Sequence, residues 1–148
     1  RERLYEEITS DTCIRWHCVS VEADEIDRIN ILQATWEGMR RAVLALRPKA
    51  DAALIDGRPV KRFPVHHVAL VKGDSLSFSI AAASIIAKVT RDRLMIALAG
   101  QHPEYGFEVH KGYPTPAHLA ALRKHGPCPQ HRRSFSPVAQ MEFVFAES

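Results

Sequence analysis

The chain has 148 residues, 46% of them hydrophobic, one domain's worth of sequence with enough apolar material for a core. A formal charge of +3 and a pI near 8.9 are mild for a nucleic-acid binder, so where the charges fall matters more than their sum. No apolar run approaches the roughly 18 to 20 residues of a membrane span, the basic, polar opening lacks the apolar stretch of a signal peptide, and Cys13, Cys18 and Cys128 form no Cys-x-x-Cys pair and read as core or inert thiols.

Residues 1–8 read as the tail of a helix. Residues 13–21, Cys-Ile-Arg-Trp-His-Cys-Val-Ser-Val, have the composition of a strand. Asp24 suits the N-cap of a helix running toward Leu46, along which Ile26, Ile29, Leu32, Trp36, Met39 and Val43 recur at steps of three and four. Pro48 bars its continuation. Two short strands follow, 52–57 and 65–74, each ending in a polar residue beside glycine. The Ala- and Ile-rich stretch 77–99 predicts a long helix with Gly100 as its C-terminal cap. A loop over 101–115, a short helix over 116–125 and a Pro-rich stretch around Cys128 complete the chain. Strand and helix alternate, which predicts an α/β protein.

Asp56 directly follows the apolar run Ala-Ala-Leu-Ile, and Asp74 directly follows Val-Lys-Gly. Open α/β sheets assemble ligand sites at strand ends, and hard divalent cations take one or two carboxylates with water and phosphate completing the shell. The plain alternative is a turn at Asp56-Gly57 and a helix cap at Asp74. Only residues 58–64 clearly separate the two strands, whereas parallel crossovers usually need a dozen or more. Local spacing therefore predicts a hairpin with the carboxylates at opposite ends.

On the long helix Ser84, Lys88 and Arg91 share a face, with Asp92 beside it and able to pair with Lys88; such a stripe is ordinarily solvated. Between Glu108 and Glu142 there is no carboxylate, while Lys111, Arg123, Lys124, Arg132 and Arg133 fall there with four histidines. That reads either as a surface that tracks a phosphate backbone or as a solvated positive face. Within it, His110-Lys-Gly-Tyr-Pro-Thr115 and His131-Arg-Arg-Ser-Phe-Ser-Pro137 combine cations with an aromatic, a mixture that can grip phosphate while a ring stacks on sugar or base. His66 and His67 read as strand material with one ring in and one out.

Seven ordered segments resemble the ribonuclease HII family over essentially the whole chain: Asp24-Glu-Ile-Asp-Arg-Ile-Asn-Ile-Leu-Gln-Ala-Thr35, Leu54-Ile-Asp-Gly57, Val71-Lys-Gly-Asp74, Ala82-Ala-Ser-Ile-Ile-Ala-Lys-Val-Thr-Arg-Asp92, Tyr105-Gly-Phe107, His110 to Thr115 and His131-Arg-Arg-Ser-Phe135. The resemblance implies a ribonuclease H-like fold, a mixed sheet flanked by helices with a C-terminal helical segment, in a single domain over 1–148. It implies hydrolysis of RNA–DNA hybrids and of ribonucleotide-containing DNA duplexes on the 5′ side of a ribonucleotide, leaving a 5′-phosphate and a 3′-hydroxyl. In that family four carboxylates hold Mg²⁺ or Mn²⁺, and two of the positions match Asp56 and Asp74, which must then lie close together. Tyr113 matches a tyrosine that packs on the deoxyribose after the RNA–DNA junction, and Asn30 a residue near the DNA backbone. Lys88, Arg91, Lys111 and Arg132 are the further substrate-binding candidates, with 109–141 as the basic segment. The expectation is a cytoplasmic enzyme, monomeric when complete, with no membrane association.

The family also opens with a strand carrying Asp-Glu-Ala-Gly-Arg-Gly, which supplies the other two carboxylates and reads the ribose 2′-hydroxyl. This chain has no such segment and opens on Arg, so its first strands are expected to be missing. Two other readings stand beside the enzyme. One is a truncated remnant that binds nucleic acid without cutting it. The other is a related metal nuclease acting on DNA alone, against which the His-Lys-Gly-Tyr-Pro-Thr and Ala-Ala-Ser-Ile-Ile-Ala-Lys motifs argue.

Overall fold

Helix α1 (Glu2–Ser10) opens the computed structural model, which describes residues 1–140. The β-rich segment 13–21, expected as a strand, forms no ladder among the described residues. A strand exists through hydrogen bonds to a neighbour, and residue pattern alone does not supply one. Trp16 instead meets Tyr5 edge-on, with ring centroids 6.4 Å apart.

Helix α2 (Ala23–Ala45) starts one residue before Asp24, and its Ile26 amide bonds to the Glu22 carbonyl at 3.0 Å, so Asp24 lies inside the helix and is not its cap. At Asn30 the backbone leaves the helical region (φ 67°, ψ 162°), making α2 in effect two helices, 23–29 and 31–45. Asparagine tolerates a positive φ better than most residues. Its Oδ1 accepts from the amides of Leu32 (3.0 Å) and Gln33 (3.1 Å), capping the second segment.

Strands β1 (Ala52–Asp56) and β2 (His66–Leu70) are parallel, with Ala52 opposite His66 and Asp56 opposite Leu70. The hairpin expected from local spacing is therefore wrong. Residues 57–65 make the crossover without a helix, and packing holds them in place. Val60 is buried and its amide donates to His67 Nε2 at 3.2 Å; the Phe63 ring lies 5.0 Å from that of His67; Arg40 of α2 donates to the Lys61 carbonyl at 2.5 Å. His67 is thus engaged while His66 is exposed, as strand alternation requires. The same alternation buries Ile55 and leaves the paired Leu54 and Val68 exposed. Of the expected mixed sheet, the described residues hold this parallel pair.

Helix α3 (Phe78–Gln101) runs through Gly100, the expected cap: the His102 amide still bonds to the Leu98 carbonyl at 2.9 Å. An isolated glycine is tolerated in a helix, whereas the proline at position 103 biases the preceding residue away from helical geometry. A 3₁₀ turn (Pro103–Tyr105) and α4 (Phe107–His110) lead to α5 (Pro116–His125). Helix α5 has the expected ends: Thr115 Oγ1 accepts from the His118 amide, Pro116 occupies the first turn, and Gly126 follows with φ 75°.

Contacts divide the described residues into two compact units, 1–20 with 35–90, and 21–34 with 91–140. The first buries Ile55, Val60, Ile80, Ile86 and Val89; the second is built on Ala99, Tyr105, Phe107, Leu122, Cys128 and Val138. Among the described residues no helix is long and apolar enough to cross a membrane.

Candidate metal centre and nucleic-acid interface

The parallel register brings Asp56, at the end of β1, to the same end of the sheet as the turn that follows β2. That turn passes through Lys72 in the left-handed region (φ 57°) into a 3₁₀ turn at Gly73–Ser75. Asp56 Oδ1 accepts from the Gly73 amide at 2.7 Å, and Asp74 is the next residue. Gly73 is buried, and the close packing there explains the residue type. A Cβ at position 73 would lie 2.6 Å from Ile80 Cδ1, 3.2 Å from Leu70 Cβ and 3.5 Å from Asp56 Oδ1. Asp74 Oδ1 stands 3.5 Å from Ser75 Oγ, and both carboxylates are exposed.

Among the described residues no group of three or more His, Cys, Asp or Glu side chains is placed to hold an ion. Asp56 and Asp74 remain candidates, since two carboxylates could suit a hard cation whose remaining positions go to water and phosphate. Lys88, half-buried on α3, belongs to the same unit.

Most of the other substrate-binding candidates lie in the second unit. Tyr113 is 53% exposed and follows two residues with positive φ, Lys111 (52°) and Gly112 (77°). The Arg91 guanidinium lies over its ring, 5.0 Å from the centroid. Arg91 also meets Asp92 at 4.0 Å, an exposed pair of little energetic weight. Lys111 Nζ donates to the Glu108 carbonyl, and the Arg132 guanidinium sits 5.5 Å from the Phe135 ring centroid. The side-chain oxygen of Asn30 is committed to the helix break.

Two features of this unit were not singled out from the sequence. Asp27 accepts from the amides of Arg133 (2.7 Å) and Ser134 (2.9 Å) and from the Ser134 hydroxyl, tying the basic 132–134 stretch to α2. Desolvation works against its charge, but these hydrogen bonds and the nearby Arg132 hold its carboxyl below the usual range. The second feature is that three of the four histidines of the basic segment face inward. His110 and His118 are buried and stacked at 4.3 Å, and His118 Nε2 lies 3.0 Å from His131 Nε2. Burial, followed by the neighbouring His118, pulls His131 down to about 4. Burial lowers His118 as well, so the His118 and His131 rings are neutral near pH 7 and do not add to the positive surface, which rests on Lys and Arg.

The α/β fold, with Asp56 at the end of β1 and Asp74 in the turn after β2, is that of a ribonuclease H-like protein. The crystal structure of the ribonuclease H2 from Pyrococcus horikoshii OT3 is similar with a TM-score of 0.81 and 26% identity, over 99% of this chain and 77% of that one. The family model for Ribonuclease HII matches residues 1–138, and the chain belongs to that family. It is 60% identical over 139 residues to the Ribonuclease HII of Xanthomonas campestris pv. campestris (strain B100), covering 93% of this chain and 58% of that protein. The Ribonuclease HII of Delftia acidovorans (strain DSM 14801 / SPH-1) is 56% identical over 143 residues, covering 95% and 60%. The chain thus spans about three fifths of the length of these curated relatives.

Proposed function

We propose that the chain carries part of the catalytic site and the substrate-gripping segment of an endoribonuclease. It acts on the RNA strand of RNA–DNA hybrids and on ribonucleotides embedded in DNA, cutting on their 5′ side to leave a 5′-phosphate and a 3′-hydroxyl. The observation that carries this reading is the parallel register with the Asp56–Gly73 hydrogen bond, because it sets two carboxylates of the family motifs at one sheet end.

Asp56 and Asp74 are the residues that would hold Mg²⁺ or Mn²⁺. When bound in pairs, such ions lower the pKa of the attacking water and neutralise the leaving oxygen. The Gly73 amide orients one oxygen of Asp56 in advance, as outer-shell donors do for ligating carboxylates. In the second unit the exposed Tyr113 ring packs on a deoxyribose, with Arg91 over the ring. Lys111 and Arg132 meet phosphates, and Asn30 offers its amide nitrogen to the backbone. Lys88 is the phosphate partner on the unit that bears the carboxylates.

The two-carboxylate donor set also favours a second reading, in which this chain by itself binds without cutting. One experiment separates the two: a DNA duplex containing a single ribonucleotide, incubated with Mn²⁺ and either the 148-residue chain or the same chain joined to the family's Asp-Glu-Ala-Gly-Arg-Gly strand. Incision 5′ of the ribonucleotide by the joined protein alone is expected. Failure of the joined, folded protein to incise would sink the enzyme reading.

A further inference from the structure

The interior histidines end on the residue proposed to hold the sugar. His118 Nδ1 is 3.0 Å from the Tyr113 carbonyl, which also accepts the Thr115 amide at 2.8 Å. The second bond closes a three-residue turn centred on Pro114, whose ring fixes φ near the value an inverse γ-turn needs. On the other side His110 Nδ1 accepts the Gly112 amide at 3.2 Å, and the Tyr113 amide donates to the His110 carbonyl at 2.9 Å. The backbone around Tyr113 is therefore held on both sides by one stacked pair of imidazoles.

Partners that can act in only one sense settle where the protons are. The Tyr113 carbonyl can only accept, so His118 carries its proton on Nδ1 and presents a bare Nε2. That Nε2 must receive a proton from His131 Nε2, which leaves His131 Nδ1 bare. Working from the far end gives the same answer: the Cys128 amide can only donate, and it meets His131 Nδ1 at 3.0 Å, with the Cys128 thiol at 3.1 Å. His110 is fixed likewise, with Nε2–H donating to the Tyr105 carbonyl at 2.7 Å and Nδ1 accepting. One proton sits between His118 and His131. A second would set two N–H groups against each other.

A buried polar chain of this kind is costly to desolvate, and apolar side chains would fill the same space with less penalty. Its terminus on an exposed tyrosine, beyond two residues in the left-handed region, points to a purpose beyond core packing. We propose that His110 and His118, locked as neutral tautomers by Tyr105, His131 and Cys128, are positioning residues that set the Tyr113 turn and so aim its ring at the substrate sugar. The proposal rests on Tyr113 being the sugar-packing residue.

The test uses the 148-residue chain and a fluorescein-labelled DNA duplex with one ribonucleotide, read by anisotropy from about 50 to 200 mM salt. His118→Leu should weaken binding about 5- to 10-fold, the loss of roughly one hydrogen bond. The slope of log K against log salt should not change, because no phosphate contact is lost. His118→Asn, whose amide can replace Nδ1–H, should recover most of the affinity. With Tyr113→Ala already present, His118→Leu should change binding by less than about twofold, since coupled residues are not additive. Equal losses in both backgrounds, or a reduced salt slope, would mean that His118 merely supports the fold and would overturn the proposal. A silent Tyr113→Ala would instead overturn the reading of Tyr113. Independently of binding, ¹⁵N shifts should show His118 protonated on Nδ1 at pH 7, and the opposite tautomer would refute the hydrogen-bond chain.

Discussion

The Asp56 carboxylate accepts the Gly73 amide proton at 2.7 Å, joining the end of one strand to the turn after the next. A side chain at position 73 would crowd β2 and the start of α3. Ile80 Cδ1, 2.6 Å from the added Cβ, is the tip of a flexible side chain, but Leu70 Cβ at 3.2 Å is anchored to β2. Gly73→Ala should therefore destabilise by about 1–3 kcal/mol, the usual range for overpacking. Urea denaturation checks this, and an unchanged midpoint would contradict the packing account.

Asp56→Asn should spare the fold and abolish most cleavage by the protein joined to the family's leading strand. An asparagine oxygen can still accept the Gly73 amide, but an NH₂ group then replaces the second carboxylate oxygen and repels a cation. The loss should exceed the about 100-fold typical of removing an outer-shell partner. Full activity in Mg²⁺ or Mn²⁺ would remove Asp56 from the metal site.

Acid should destabilise the second unit through His131. Its folded pKa of about 4 lies below the ordinary value of 6.5, so the unfolded chain binds the extra proton between those limits. The stabilisation is complete above about pH 6.5 and falls away toward pH 4, by up to about 3 kcal/mol. His118, also lowered by burial, acts in the same direction, while Asp27, already depressed below the usual carboxylate range, titrates beneath this window. His102, His110, Cys128 and Tyr105 are the other titratable groups around the ring. Denaturant midpoints at pH 7 and pH 4.5 should differ, and His131→Gln should flatten the difference. Equal wild-type midpoints would show that the ring is not held neutral.

Asp27→Ala should free the 132–134 stretch from α2. The three hydrogen bonds are exposed, so the stability loss should be near about 1 kcal/mol, below the roughly 1.5–3 kcal/mol usual for bonds to a charged group. Slower amide exchange at Arg133 and Ser134 in the wild type than in the variant is the expected signature; equal rates would show that the tie is absent in solution.

Nucleic-acid binding by the 148-residue chain should be weak and steep in salt, falling sharply between about 50 and 200 mM, with little preference for a hybrid over plain DNA. Phosphate contacts position a duplex without reading its sugars. A strong hybrid preference by filter binding would show that some residue of this chain reads the 2′-hydroxyl.

What the sequence made legible was whatever its signals settle locally. The short helix over 116–125 was read to the residue, and the Asp56 and Asp74 segments were visible as motifs. The break at Asn30 was hidden because Ile26, Ile29, Leu32 and Trp36 keep helical spacing straight across it. Gly100 looked like a cap but lies within the helix, since the proline at 103 is the stronger stop. Parallel pairing of β1 and β2 depends on Val60, Phe63 and Arg40 packing the crossover, which no local count of residues reveals. Asp27 and Arg133 are 106 residues apart, and the inward histidines show their tautomers only through their partners.

The exposed pair Leu54 and Val68 has a practical consequence at the bench. Parallel sheets are ordinarily covered on both faces, and here one face carries two adjacent apolar side chains in the open, with Val71 and Leu76 also exposed in the turn beyond β2. An exposed apolar stripe favours self-association. Apparent affinities measured with this chain will therefore drift with protein concentration at fixed DNA, and polar replacements at Leu54 and Val68 should make the isotherms superimpose.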